Sequence, residues 1–181
     1  MKPALFLDRD GVINKEKSYL YKIEDFEFIS GVFETCQHYQ NNGYKIVIVT
    51  NQAGIARRYY TESDLAILHE WMCQQFSKRS INIDGVYHCP HHPEGAIEAL
   101  SIKCDCRKPM PGMILQAEKE LAIDLNASVL VGDKISDVQA GINAGVSNNV
   151  LITTGHKLHP DDYAVADRVI GNLTELISND T

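Results

Sequence analysis

Asp8 and Asp10 stand two residues apart just after Leu5-Phe6-Leu7, and Asp133 follows Val129-Leu130-Val131-Gly132. A carboxylate at the end of a buried strand can attack phosphorus and form an aspartyl phosphate, which splits one difficult displacement into two easier ones. A second carboxylate over the same centre can protonate the leaving oxygen and then deprotonate the attacking water. Asp8 is read as the nucleophile and Asp10 as the general acid/base. Clustered acids repel one another, and a hard divalent cation such as Mg2+ relieves them. Thr50, at the end of Ile46-Val47-Ile48-Val49, supplies a hydroxyl for charge on the phosphoryl oxygens, the backbone of Asn51-Gln52-Ala53-Gly54 further donors, and Lys108 a cation.

A second set of chemical residues lies between His88 and Pro111. Cys89-x-His91 and Cys104-x-Cys106 offer three thiolates and an imidazole at two knuckles, the donor set of a closed tetrahedral zinc site. Reduced, unliganded thiols are the alternative that spacing alone leaves open, as is the choice of His91 over His88 and His92. Zinc would organise a stretch otherwise too long to lack structure. A closed site of this kind is structural, and it would anchor Arg107 and Lys108, which follow Cys106 directly. Cys36 and Cys73 sit on apolar helical faces and read as core packing.

The elements that must position these groups alternate. Strand patterns near residues 5–7, 44–50, 83–87, 129–132, 150–153 and 168–170 are separated by helical spacing. Val32, Phe33, Cys36 and Tyr39 mark one helix, closed by Asn42-Gly43; Thr61 and Asp64 have capping-box spacing before Leu65, Leu68, Trp71, Met72 and Phe76. Further helices run through Ile114, Leu115, Ala117 and Leu121, from about Ser136 to Ala144, and at the C-terminus. Unbroken apolar strands ending in polar residues imply an α/β, doubly wound, mostly parallel sheet with its ligands beyond the carboxyl ends of the strands. His38 and His69 read as helix-face residues, and His156 and His159 as members of a solvated loop.

The chain has 181 residues, is 44% hydrophobic and carries a net charge of −7, which suits a single domain over residues 1–181 with a zinc-binding loop at about 88–108. The acidic balance argues against nucleic acid or an anionic membrane as partner, so an anionic ligand would be held locally, by Arg57, Arg58, Arg107, Lys108 and Lys134. With no long apolar run and no room for a leader before the first strand, a cytoplasmic monomer is expected.

Asp8-Arg9-Asp10-Gly11-Val12-Ile13, Val49-Thr50-Asn51-Gln52, Arg107-Lys108-Pro109 and Gly132-Asp133-Lys134-Ile135-Ser136-Asp137 together resemble the four motifs of the haloacid dehalogenase superfamily of phosphatases. Asn51 to Arg57, Cys89-Pro90-His91-His92-Pro93 and Cys104-Asp105-Cys106-Arg107-Lys108-Pro109 resemble a sugar-bisphosphatase branch of it. The resemblance implies a Rossmann-like fold with short loops in place of a large cap domain, and Mg2+ at Asp8, Asp10 and Asp133. It also implies zinc at Cys89, His91, Cys104 and Cys106, and a small phosphorylated sugar as substrate. Arg107 would recognise that substrate, and the substrate loop would fall on Glu16-Lys17-Ser18-Tyr19, with Asn51, Gln52, Ala53 and Lys134 beside it. The chain departs from that branch in having Lys17-Ser18 for His-Gly and Arg58 for glycine. A histidinol-phosphate phosphatase, which shares these motifs, and a catalytically silent zinc-organised binding module are the alternatives.

Overall fold

Six strands form one sheet in which every pairing is parallel, in the order β3-β2-β1-β4-β5-β6. They are β1 (Ala4–Leu7), β2 (Lys45–Asn51), β3 (Gly85–Cys89), β4 (Val129–Gly132), β5 (Asn148–Ile152) and β6 (Arg168–Ile170). The computed structural model describes residues 1–177. The sequence implied a mostly parallel sheet; it is wholly parallel.

Side chains alternate along each strand, and the alternation divides the core in two. Leu5, Leu7, Ile46, Ile48 and Val131 face one layer, where α1 (Val32–Asn41) and α2 (Glu62–Ser77) contribute Cys36, Tyr39, Leu68, Met72 and Phe76. Ala4, Phe6, Val47, Val49 and Leu130 face the other, against Met113, Ile114 and Ala117 of α3 (Gly112–Leu121) and Ala140 of α4 (Ile135–Ala144). Helices on both faces make the sheet doubly wound.

Local chemistry sets the helix ends. Thr61 Oγ1 accepts from Asp64 N at 3.1 Å while Asp64 Oδ2 accepts from Thr61 N at 2.8 Å, a reciprocal cap that starts α2 where the spacing predicted. Gly43, at φ +85°, lets the chain leave α1 in a left-handed turn. Three details differ from expectation. The third strand begins two residues later and runs into Cys89, so the cysteine-histidine loop starts on the sheet itself. The C-terminal helix is, among the described residues, a short 3-10 turn, Leu173–Leu176. On α2, His69 is buried while Trp71 lies partly exposed against Phe26 and Phe28. No described helix is long and apolar enough to cross a membrane.

The chain builds outward from β1 through β2 to β3, then returns to start again at β4 on the other side of β1. That reversal opens a crevice beyond the carboxyl ends of β1 and β4, where open α/β sheets bind ligands.

Candidate active site

Asp8 and Asp133 are brought together by strand register. Leu7 pairs with Val131, and Asp8 N donates to Val131 O at 3.0 Å, so the two aspartates leave neighbouring strands side by side. Asp137 joins them from the first turn of α4, and carboxylate oxygens of all three lie within 4.8 Å of one another. All three residues are buried. Burial pushes the Asp8 carboxyl well above its ordinary value; Lys108 opposes this, and Asp137, Asp133 and Asp10 reinforce it. Asp133 is pushed up to about 7, again by burial first and by Asp137 next. Its Oδ1 is buried without a hydrogen-bond partner. Crowded carboxylates with an unsatisfied buried oxygen form a donor set suited to a hard divalent cation.

The Asp10 carboxylate is not in that group, contrary to expectation. Arg9 Nη2 donates to its Oδ1 and Oδ2 at 2.9 and 3.0 Å, Asn14 Nδ2 to Oδ1 at 3.0 Å and Gln52 Nε2 to Oδ2 at 3.0 Å. Burial alone would raise this carboxyl, but the Arg9 charge and the three donors outweigh it and hold the group below its ordinary value. Arg9 is itself fully buried, with Nη1 3.2 Å from His69 Nε2. His69 is therefore no plain helix-face residue. Burial, with Arg9 adding to it, presses its imidazole down to about 3, so it is neutral and accepts from the guanidinium. The Gln52 amide is engaged within the protein too, its oxygen accepting from Tyr60 and its nitrogen also donating to Thr50 Oγ1 at 2.8 Å.

Lys108 reaches the cluster from the loop before α3. Its Nζ donates to Asp8 Oδ1 at 2.9 Å, Val49 O at 2.9 Å and Asp137 Oδ1 at 2.7 Å, one acceptor for each of its hydrogens. Burial pulls the ammonium down, but Asp137 and Asp8 more than offset that and keep it charged. Asn51 fixes the backbone beneath it, accepting from Lys108 N at 3.0 Å and donating to Lys108 O at 3.3 Å. Asp137 Oδ2 meanwhile accepts from the N–H groups of Asp133 and Lys134, tying the helix start to the cluster. Gly132 must be glycine here, because a Cβ would come within 2.1 Å of Asp137 Cβ.

Ligand atoms of Cys89, His91, Cys104 and Cys106 all lie within 4.8 Å of one another. The sulfur separations are 3.0, 3.4 and 3.6 Å, and His91 Nδ1 is 3.3 Å from Cys106 Sγ and 3.5 Å from Cys89 Sγ. A tetrahedron of thiolates about 2.3 Å from zinc has edges near 3.8 Å, so this set fits the ion once the sulfurs spread by a few tenths of an ångström, most between Cys89 and Cys106. The two other candidate histidines are engaged elsewhere: His88 meets Glu62 Oε2 at 2.7 Å, and His92 lies between Glu94 N and Arg57 Nη2. Arg107 N donates to Cys104 Sγ at 3.3 Å, so the cluster holds the backbone one residue before Lys108.

A cleft of about 450 Å³ covers these groups. Asp8, Asp10 and Lys108 reach its wall; Thr50 and Asp133 lie just beneath it, fully buried. Of the expected substrate contacts, Glu16, Ser18, Tyr19, Asn51, Gln52, Ala53, Arg107 and Lys134 line it. Lys17 does not. Its ammonium turns outward to Glu27 Oε1 at 2.6 Å and Asp25 O at 2.8 Å. Arg57 and Arg58 are also outside the lining, Arg57 holding His92 and Arg58 exposed. Ser18 (φ +48°), Tyr19 (φ +56°) and Arg58 (φ +62°) are left-handed. Two of these are the positions where the resembling branch carries glycine, the residue that adopts such a backbone without strain.

Five lining residues stand outside the expected site: Tyr60, His92, Ser136, Asp137 and His156. Ser136 and Asp137 belong to the Asp133 motif and His92 to the Cys89 motif, while Tyr60 reads equally as lining a sugar site or covering the start of α2. His156, read as part of a solvated loop, lies with Nδ1 2.6 Å from Asp133 Oδ2.

A doubly wound parallel sheet with this acid cluster at its reversal point is the architecture of HAD-like hydrolases, and the family described as HAD-hydrolase-like matches residues 105–176. The chain is 46% identical over 174 residues to D-glycero-beta-D-manno-heptose-1,7-bisphosphate 7-phosphatase of Yersinia pestis, covering 96% of this chain and 93% of that protein. It is 47% identical to the protein of the same name from Pasteurella multocida, covering 97% and 95%. The chain belongs to this family of phosphatases. A crystal structure of D,D-heptose 1,7-bisphosphate phosphatase from B. bronchiseptica, complexed with magnesium and phosphate, superposes with a TM-score of 0.80 at 26% identity and 99% coverage of both chains.

Proposed function

We propose that this protein removes the C7 phosphate of D-glycero-β-D-manno-heptose 1,7-bisphosphate, with Asp8 as the phosphorylated residue. The observation that carries the reading is Asp8 itself, at the cleft wall between a buried cation, Lys108, and the acid cluster. The Asp8 carboxylate attacks phosphorus and the bond to the sugar oxygen breaks; Asp10, ionised in the resting site, takes up a proton from solvent when the anionic substrate binds and gives it to that oxygen. Asp10 then takes a proton from water, which attacks the same phosphorus, breaks the bond to Asp8 and releases inorganic phosphate. Arg9, Asn14 and Gln52 hold Asp10 in place for both transfers.

Mg2+ would be held by Asp8 and Asp133, whose Oδ1 lacks any other partner. Both side-chain oxygens of Asp10 being engaged, the oxygen it can offer is that of its main chain. Bound there, Mg2+ offsets the repulsion between the nucleophile and the incoming anion. Lys108 and Thr50 steady the transferring phosphoryl group; Arg107 and Lys134 meet the anionic substrate, with Glu16, Ser18, Tyr19, Asn51 and Ala53 shaping the sugar side. We place the reaction in the cytoplasm, in a monomer of one domain that uses reduced thiols as zinc ligands, and in the making of nucleotide-heptose precursors such as those of lipopolysaccharide core.

With Mg2+, kcat/KM for the heptose bisphosphate is expected to exceed that for histidinol phosphate by at least a hundredfold, about 2.7 kcal/mol of transition-state discrimination. Preference for histidinol phosphate would overturn the substrate, and no phosphate release from either would overturn the enzyme.

The zinc cluster should behave differently from the acid cluster. Cys106→Ser, or stripping with a zinc-selective chelator, is expected to lower Tm by roughly 10 °C, about 3–4 kcal/mol for a chain of this size, and to raise KM as Arg107 loses its anchor. Omitting Mg2+ should stop turnover with a far smaller change in melting. Equal melting losses from both treatments would sink this division of labour.

A further inference from the structure

We infer that His156 is a positioning residue that fixes the Asp133 carboxylate so that one oxygen stays free for the divalent cation; the inference rests on the reading of the acid cluster as a Mg2+ site. Oδ2 of Asp133 is held three ways. His156 N donates to it at 2.9 Å, and His156 Nδ1 lies 2.6 Å from it. Ionised, as a cation ligand must be, Asp133 only accepts, so in that form Nδ1 carries the hydrogen. The third constraint is steric: a Cβ at Gly155 would fall 2.0 Å from the same oxygen and one at Gly11 2.3 Å, so two glycines close over it. Oδ1, fully buried, has no partner at all. A carboxylate pinned through one oxygen and unsatisfied at the other is oriented before any ion arrives.

The other face of the ring points away from the cluster. Nε2 lies 4.0 Å from Glu16 Oε2, on the loop that lines the sugar side of the cleft, and the side chain is about one-third exposed. His156 is thus anchored by its inner nitrogen alone. That gives the inference a chemical signature, because an asparagine amide nitrogen falls near the position of Nδ1, whereas a glutamine amide nitrogen falls near Nε2.

The test is Mg2+ binding to the zinc-loaded protein without substrate, measured by calorimetry, for the parent, His156→Ala, His156→Gln and His156→Asn. Loss of an outer-shell partner typically weakens a metal site 10- to 100-fold, so the alanine and glutamine variants are expected to bind Mg2+ at least about tenfold more weakly. The asparagine variant should stay within about threefold of the parent. All three should melt with the parent when Mg2+ is absent, and KM for substrate at saturating Mg2+ should be unchanged. Parent-like Mg2+ affinity in His156→Ala would overturn the inference while leaving the site intact. Rescue by glutamine rather than asparagine, or a raised KM with unchanged Mg2+ affinity, would overturn it in favour of contact with substrate through Nε2. A parent that binds no Mg2+ would remove the site on which the inference rests.

Discussion

Replacing Asp8 by asparagine is expected to lower kcat roughly ten-thousandfold or more, since a displacement without its nucleophile keeps only what positioning and the surrounding charges contribute. The variant should fold, and without Mg2+ it should melt no lower than the parent. The sign follows from the shift at Asp8. Burial, with Asp137, Asp133 and Asp10 against Lys108, raises its folded-state pKa above the unfolded one. A carboxyl raised in this way costs stability once the pH exceeds the unfolded value, because the folded state then resists a charge that the unfolded chain carries freely. Asparagine is neutral at every pH and removes that cost, while its amide oxygen can still accept from Lys108. Phosphate release and thermal melting from pH 5 to 8 measure both halves. Turnover within tenfold of the parent would end the case for a phosphorylated aspartate, and a melting loss at neutral pH would show that the charge stabilises the metal-free site.

Lys108→Ala is expected to cut kcat by a hundred- to a thousandfold with KM little changed, the size seen when one preorganised donor to a developing charge is removed. Asp8, Asp137 and Val49 hold the ammonium in place before substrate arrives, so its charge stands beside the nucleophile without further reorganisation. Removing it also leaves two buried carboxylates without their cation, a loss on the order of 3–5 kcal/mol, which Mg2+ should partly restore. Steady-state kinetics at saturating Mg2+, with melting at low and high Mg2+, separates the effects. A change confined to KM would mean that Lys108 binds ground state and transition state alike.

What could be read beforehand was what depends on neighbours in the chain. Unbroken apolar runs ending in Asp8, Thr50 and Asp133 gave the strands and the crevice beyond their carboxyl ends, and two Cys/His knuckles gave a cluster whose ligand atoms do come together. Contacts between distant segments left no such trace. His69 sits on a helix whose spacing places it beside an apolar stripe, and only the approach of Arg9, 60 positions earlier, makes it an interior acceptor. His156 looked like a loop residue because its partner, Asp133, is 23 positions away. Lys17 misled for the opposite reason. It lies within the substrate-loop motif, but a nearby glutamate captures its charge. The resemblance implies Asp10 as an ion ligand, and its spacing from Asp8 says which side of the strand it leaves, but neither tells that a guanidinium one residue away takes its carboxylate.

That guanidinium binds chemistry and architecture together. Arg9 is sealed in the interior, and the ion pair that accompanies it there is with Asp10, the carboxylate proposed to shuttle protons. Any change to this acid therefore strips a sealed cation of its counterion, so a variant meant only to silence proton transfer also strikes at the solidity of the whole molecule. For descendants of this chain, Arg9 and Asp10 must be inherited as a unit.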